Sequence, residues 1–294
     1  GPSGATGAGA GHHGRLRGWR ARRRRAGPRP ADGPGHDSPG NRFNRVGART
    51  HPVFHACFKA ELDTLMTRAG HRLAYLTLPK VRSVAEICTA STLCQQHEAH
   101  LGLTTPVPFQ VLIESPAALA EVHAMAAHPR VQALCFGLMD YVSSFEGAIG
   151  ADALHGARQF EHPLLARALT DISLAAHAHG KVAVHSVTLA IGDGTAAGED
   201  ALRAARDFGY QRKWSIHPRQ VEPIIAAFQP AAQDVQRAGE ILLAAQAADW
   251  GPVRHADELH DRASYRYWWH VLQQAWRTGV PLSPDVKAAF FGNA

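Results

Sequence analysis

The sequence predicts an α/β fold built on parallel strands, a (β/α)8 TIM barrel carrying a C-terminal helical extension. Three observations predict it. From about residue 41 onward, short apolar runs alternate with longer segments of helical spacing. The order strand-then-helix is sustained over six units, which requires parallel strands joined by helical crossovers. No glycine-rich phosphate loop follows any apolar run, so the nucleotide-binding doubly wound sheets are the weaker reading.

The elements follow in order. A short strand is expected just before Arg49, and Phe54, Cys57, Phe58, Leu62 and Leu65 share one helical face after it. Leu73–Leu78 reads as a buried strand that stops at Pro79-Lys80. Phe109–Ile113 is a strand, and Ser115-Pro116 then opens a helix, with serine as cap and proline at the first helical position. Val131–Phe136 is a strand whose outgoing loop carries Gly137 and Asp140. His162–His179 is helical, Lys181–His185 is a strand and Gly198–Phe208 is helical. Lys213–Ile216 is the last expected strand, with His217-Pro218 opening the helix beyond it. In the extension, Tyr265, Trp268, Trp269, Leu272 and Trp276 share one face of an aromatic helix, a packing surface for the barrel or for a neighbouring subunit.

Composition fixes the domain organisation and excludes several function classes. Residues 1–40 hold eight arginines against Asp32 and Asp37, a surplus equal to the whole formal charge of +6. That head is rich in Arg, Gly and Pro and has little to bury, so it is expected to be disordered. Residues 41–248 form the expected barrel domain and residues 249–294 the helical extension. A charge-neutral body argues against a nucleic-acid partner, and no apolar stretch is long enough to read as a membrane span. Four cysteines without a CxxC pair fit thiols in a reducing compartment, and the expected location is cytoplasmic.

In a parallel barrel the C-terminal strand ends point into one mouth. Here they carry Arg49, Lys80, Glu114, Asp140, His185 and His217. The two acids end neighbouring strands, and paired carboxylates repel unless a cation joins them. Oxygen ligands of this kind suit Mg²⁺, which takes one or two carboxylates plus substrate oxygens. The nineteen histidines show no paired spacing with a third ligand, so zinc is set aside. Arg49 and Lys80 bring positive charge for a substrate carboxylate.

Four phrases in this order resemble the citrate lyase β-subunit family of CoA-ester aldolases, which includes malyl-CoA and citramalyl-CoA lyases. They are Leu78-Pro-Lys80, Leu112-Ile-Glu-Ser115, Phe136-Gly-Leu-Met-Asp140 and Lys213-Trp-Ser-Ile-His-Pro-Arg-Gln220. The resemblance implies a divalent metal, usually Mg²⁺, held by Glu114 and Asp140. It implies an arginine that grips the substrate carboxylate, with two candidates: Arg42-Phe-Asn44 by its letters and Arg49-Thr-His51 by its spacing. Arg49 is preferred, with His51 in place of the family's Asn. The family also has two earlier strands, and nothing in residues 1–40 resembles them, so the barrel is expected to lack its first two strands. His185 stands where the family carries an Asp.

The implied function is Mg²⁺-dependent carbon–carbon cleavage, or condensation, of a 3-hydroxy-carboxyacyl-CoA such as citryl-, malyl- or citramalyl-CoA. Products are acetyl-CoA or a related acyl-CoA and a 2-oxoacid. Glu114, Arg49 and Lys80 are the expected substrate contacts, with CoA entering as part of the substrate. The sequence assigns no general base. A homo-oligomer, a trimer or a multiple of one, is expected from the resemblance. The competing expectation is a catalytically impaired member that binds CoA esters or partner proteins.

Overall fold

A computed structural model describes residues 41–192 and 194–292. The basic head expected over residues 1–40 lies outside the described residues. The chain divides into two compact units. One holds the described residues through Pro79 together with Ala85–Phe109; the other holds Lys80–Val84 and the chain from Gln110 onward.

In the first unit, β1 (Ala48–Arg49) pairs in parallel with β2 (Leu76–Leu78), Arg49 opposite Thr77. Between them runs α1 (Phe58–Ala69), which buries Phe58, Leu62, Met66 and Ala69. Spacings of four, four and three place these on one stripe. Phe54 and Cys57 were expected on that stripe but precede the first helical turn, and both are exposed. A 3-10 turn over Gly70–Arg72 prolongs the helix and leaves only the end of the expected Leu73–Leu78 run to form the strand. All but the first residue of α2 (Val84–Leu101) belongs to this unit. Its buried Glu98 accepts the Val107 N–H at 2.8 Å, so the carboxylate is satisfied by main chain.

The second unit carries β3 (Phe109–Ile113) from Gln110 on, then α3 (Pro116–Ala120), α4 (Val122–Ala127) and β4 (Val131–Phe136). Ser115 caps α3 as expected, its hydroxyl accepting the Ala118 N–H at 3.2 Å. Next come α5 (Leu138–Ser143), α6 (Arg158–Glu161), α7 (Pro163–Ala178), β5 (Val182–His185), α8 (Thr195–Phe208) and β6 (Arg212–Lys213). Strands β3 to β6 are neighbours in chain order. The β4–β5 and β5–β6 pairings are parallel, with Leu134 opposite Ala183 and His185 opposite Lys213. Every residue of β3 and all but Gln132 of β4 are buried, as expected of a strand covered on both faces. The result is an α/β fold with parallel strands and helical crossovers.

Beyond β6 lie α9 (Val221–Ala227) and α10 (Ala232–Ala247). An antiparallel hairpin follows, β7 (Val253–His255) and β8 (Glu258–His260), and then α11 (Arg262–Thr278) and α12 (Pro284–Phe290). The hairpin is absent from the sequence-based expectation. Helix α11 forms as predicted but is rotated relative to the expected face: Tyr265, Trp268, Val271, Leu272 and Ala275 are buried, whereas Trp276 is 42% exposed and stacks on Phe291. Residues of α10, α11 and α12, from Val235 through Leu242 and Leu272 to Val286, close into one apolar cluster. Among the described residues no helix is long and apolar enough to cross a membrane.

Candidate active site at the ends of β3 and β4

Glu114 follows β3 directly, and Asp140 lies in the first turn of α5, four residues after β4. The sequence placed Asp140 in a loop; the structure gives it a short helix entered through Gly137. The Gly137 N–H donates to the Ile113 carbonyl at 3.0 Å, which ties the exit of β4 to the exit of β3. A side chain at Gly137 would overlap Glu114: an added Cβ would lie against its Cγ and 2.9 Å from Oε1. Glycine is required here by close approach, not by backbone angle.

Lys80 joins the acids from Lys80–Val84. Its main-chain N–H donates to Glu114 Oε2 at 2.6 Å, and its ammonium meets the Asp140 carboxylate in an ion pair. Lys80 adopts φ 55°, the left-handed region that costs a non-glycine residue about 1 kcal/mol or more. Burial pushes the Glu114 carboxyl above the usual range, and the adjacent Asp140 carboxylate pushes it further, while the Lys80 N–H and ammonium oppose both. Two carboxylates thus approach closely enough for one to raise the proton affinity of the other.

This donor set fits a hard divalent cation. It offers carboxylate oxygens, no nitrogen or sulfur ligand, and a mutual repulsion that a cation between the acids would relieve. Magnesium held there would take Glu114 and Asp140 as its protein ligands, leaving positions for water or substrate oxygens.

Each of the remaining strand-end residues has its own surroundings. Arg49 is exposed on β1 in the first unit, as is the alternative Arg42 on the segment before it. His185 does not open to solvent: it is 1% exposed, stacked on Phe160 at 5.3 Å and edge-on to Tyr210 at 5.5 Å. His217 acts as a cap, its Nδ1 accepting the Arg219 N–H at 3.2 Å. The sequence reading missed Lys213 and Ser186 as site neighbours. Lys213 Nζ lies 3.0 Å from His185 Nδ1 and donates to the Ser186 carbonyl at 2.6 Å. Its position inside the Lys-Trp-Ser-Ile-His-Pro phrase was the available signal.

Paired carboxylates delivered from the exits of neighbouring strands make a candidate cation site on an α/β fold. Comparison with known proteins then places it: the chain belongs to the HpcH/HpaI aldolase/citrate lyase family, whose model matches residues 46–218. An L-malyl-CoA/beta-methylmalyl-CoA lyase of Cereibacter sphaeroides is 32% identical over 72% of this chain and 70% of its own. The crystal structure of a citrate lyase from Burkholderia xenovorans is 46% identical, covers 86% of this chain and 79% of its own, and superposes with a TM-score of 0.79. The protein CitE from Mycobacterium tuberculosis, in complex with magnesium, acetoacetate and coenzyme A, shares the fold at 21% identity and a TM-score of 0.61, over 78% of this chain and 77% of its own. The first two of these relatives carry the name lyase.

Proposed function

We propose that the chain is a Mg²⁺-dependent carbon–carbon lyase acting on a 3-hydroxy-carboxyacyl-CoA thioester such as malyl-, citramalyl- or citryl-CoA, or running the reverse condensation. The observation that carries the reading is the Glu114–Asp140 pair bridged by Lys80. Family membership and the names of its relatives support the substrate class. In this reading β1 to β6 belong to a (β/α)8 barrel domain over residues 41–248, and residues 249–294 are its helical extension.

Magnesium held by Glu114 and Asp140 would supply Lewis acidity for a hydroxyl, carbonyl or carboxylate oxygen of the substrate. The chain's own residues then have separable tasks. Glu114 and Asp140 set where the cation stands. Lys80 orients Glu114 through its N–H and presents an ammonium toward the substrate's anionic end. Arg49 is assigned to the substrate carboxylate, for which a guanidinium fork is suited. We infer in addition a homo-oligomer, a trimer or a multiple of one, from the family resemblance, and a cytoplasmic location from four cysteines without a CxxC pair.

The test is release of acetyl-CoA from malyl-, citramalyl- and citryl-CoA with and without Mg²⁺. Glu114→Gln is expected to abolish Mg²⁺-dependent cleavage, and unchanged turnover would refute the assignment. A folded chain that binds these thioesters but releases no acyl-CoA would instead be a non-catalytic binder.

A further inference from the structure

The ends of β5 and β6 carry a polar cluster, His185 and Ser186 at one and Lys213 at the other. Lys213 Nζ donates to the Ser186 carbonyl at 2.6 Å and lies 3.0 Å from His185 Nδ1. His185 and Ser186 are 1% and 4% exposed. With Nδ1 facing an ammonium, the imidazole accepts there and carries its proton on Nε2.

The cluster reaches toward the candidate site by one defined contact. Ser186 Oγ accepts the Leu138 N–H at 3.3 Å. Leu138 is the first residue of α5, and the first N–H groups of a helix have no intrahelical acceptor. The cap residue is Gly137, which has no side chain to serve them. Ser186 therefore caps α5 from another strand's exit, and α5 carries Asp140 in its first turn. Lys213 in turn fixes the main chain of the residue that provides the cap.

We propose that Ser186 and Lys213 are positioning residues for Asp140: Lys213 anchors Ser186, and Ser186 anchors the first turn of the helix that presents the carboxylate. The proposal rests on Glu114 and Asp140 being metal ligands. Residues that orient ligands from behind affect metal affinity by about 10- to 100-fold.

The experiment measures Mn²⁺ binding to the full chain by the loss of the free-ion EPR signal, alongside melting temperature. Variants are Ser186→Ala, Lys213→Met, the double variant, Lys213→Arg and, as reference, Asp140→Ala. Asp140→Ala is expected to lose tight binding. Ser186→Ala and Lys213→Met are each expected to weaken it about tenfold or more. The double variant is expected to be little worse than the weaker single, because both act through one contact. Lys213→Arg, which keeps donors and charge, is expected to recover part of the loss.

If Ser186→Ala and Lys213→Met bind Mn²⁺ like the parent while Asp140→Ala does not, positioning is refuted and the metal reading stands. Effects that multiply in the double variant would refute a shared path. Unchanged binding in Asp140→Ala would refute the metal reading and this proposal with it. Should Lys213→Met fail to fold, Ser186→Ala and Lys213→Arg decide the matter by the same criteria.

Discussion

The main-chain N–H of Lys80 donates to Glu114 Oε2 at 2.6 Å, and the same residue's ammonium pairs with Asp140. One residue thus addresses both carboxylates, through backbone on one side and side chain on the other. The left-handed backbone at Lys80, φ 55°, belongs to the conformation in which the chain makes both contacts.

Lys80→Met separates these two contacts. The N–H to Glu114 survives, while the charge beside Asp140 disappears. An ion pair this exposed is worth about 0.2–1 kcal/mol. Removing it is expected to tighten Mn²⁺ up to about fivefold, because the cation no longer competes with the ammonium. KM for a malyl-type thioester is expected to rise at the same time. Calorimetric titration and steady-state kinetics read the two signs separately; metal affinity falling together with substrate affinity would contradict this division of labour.

Gly137→Ala tests the close approach of Glu114. The added methyl overlaps the Glu114 side chain, so the carboxylate must swing away or the loop must shift. Overpacking of this kind costs about 1–3 kcal/mol. A lower melting temperature is expected, together with a Mg²⁺ requirement shifted to at least tenfold higher concentration. Crystals of the variant showing Glu114 unmoved would count against the steric argument.

The thiols provide an independent check on burial. Cys57 and Cys88 are exposed, whereas Cys94 and Cys135 are buried. Burial pushes the Cys135 thiol up to about 12, far from the thiolate form that reacts. Ellman's reagent at mildly alkaline pH is expected to titrate two thiols in the native protein and all four in denaturant. Rapid native modification of a third would show that the chain opens around Cys94 on α2 or Cys135 on β4.

Lys213 gives a pH dependence whose sign can be worked out. Burial lowers its ammonium from 10.5 to about 8, against the Asp200 carboxylate, which favours the charged form. Between those values the unfolded chain binds more protons than the folded one at this residue, so its contribution to stability rises with pH. The rise runs from about pH 8 to pH 10.5 and is at most on the order of 3 kcal/mol. Chemical denaturation across that range is expected to show a shallower rise for Lys213→Met than for the parent. Parallel curves would mean that Lys213 titrates normally.

Much of this was legible from the sequence because the signals are local. Phe109–Ile113 and Val131–Phe136 are apolar runs each interrupted by a single glutamine, and a strand buried on both faces has that look. Glu114 and Lys80 stand next to strand ends, and the two carboxylates came out together as expected. The first strand of the extension's hairpin gave no such signal: Val253–His255 has one apolar residue and is paired only through its neighbour. The last strand was misplaced because Ser215 and Ile216 turn away, the former donating to the His217 carbonyl and the latter's N–H to Gln220. Lys213 escaped for a different reason. A lysine in a strand reads as solvent-facing, and only the tertiary approach of His185 and Ser186 reveals otherwise.

The apolar cluster shared by α10, α11 and α12 has a consequence for how such a chain can diversify. A segment whose greasy side chains mostly satisfy one another can be lengthened, resurfaced or exchanged between relatives as a cassette. Chimeras joined just ahead of α10 are a natural engineering route, because Glu114 and Asp140 draw their geometry from strands that such a swap leaves untouched.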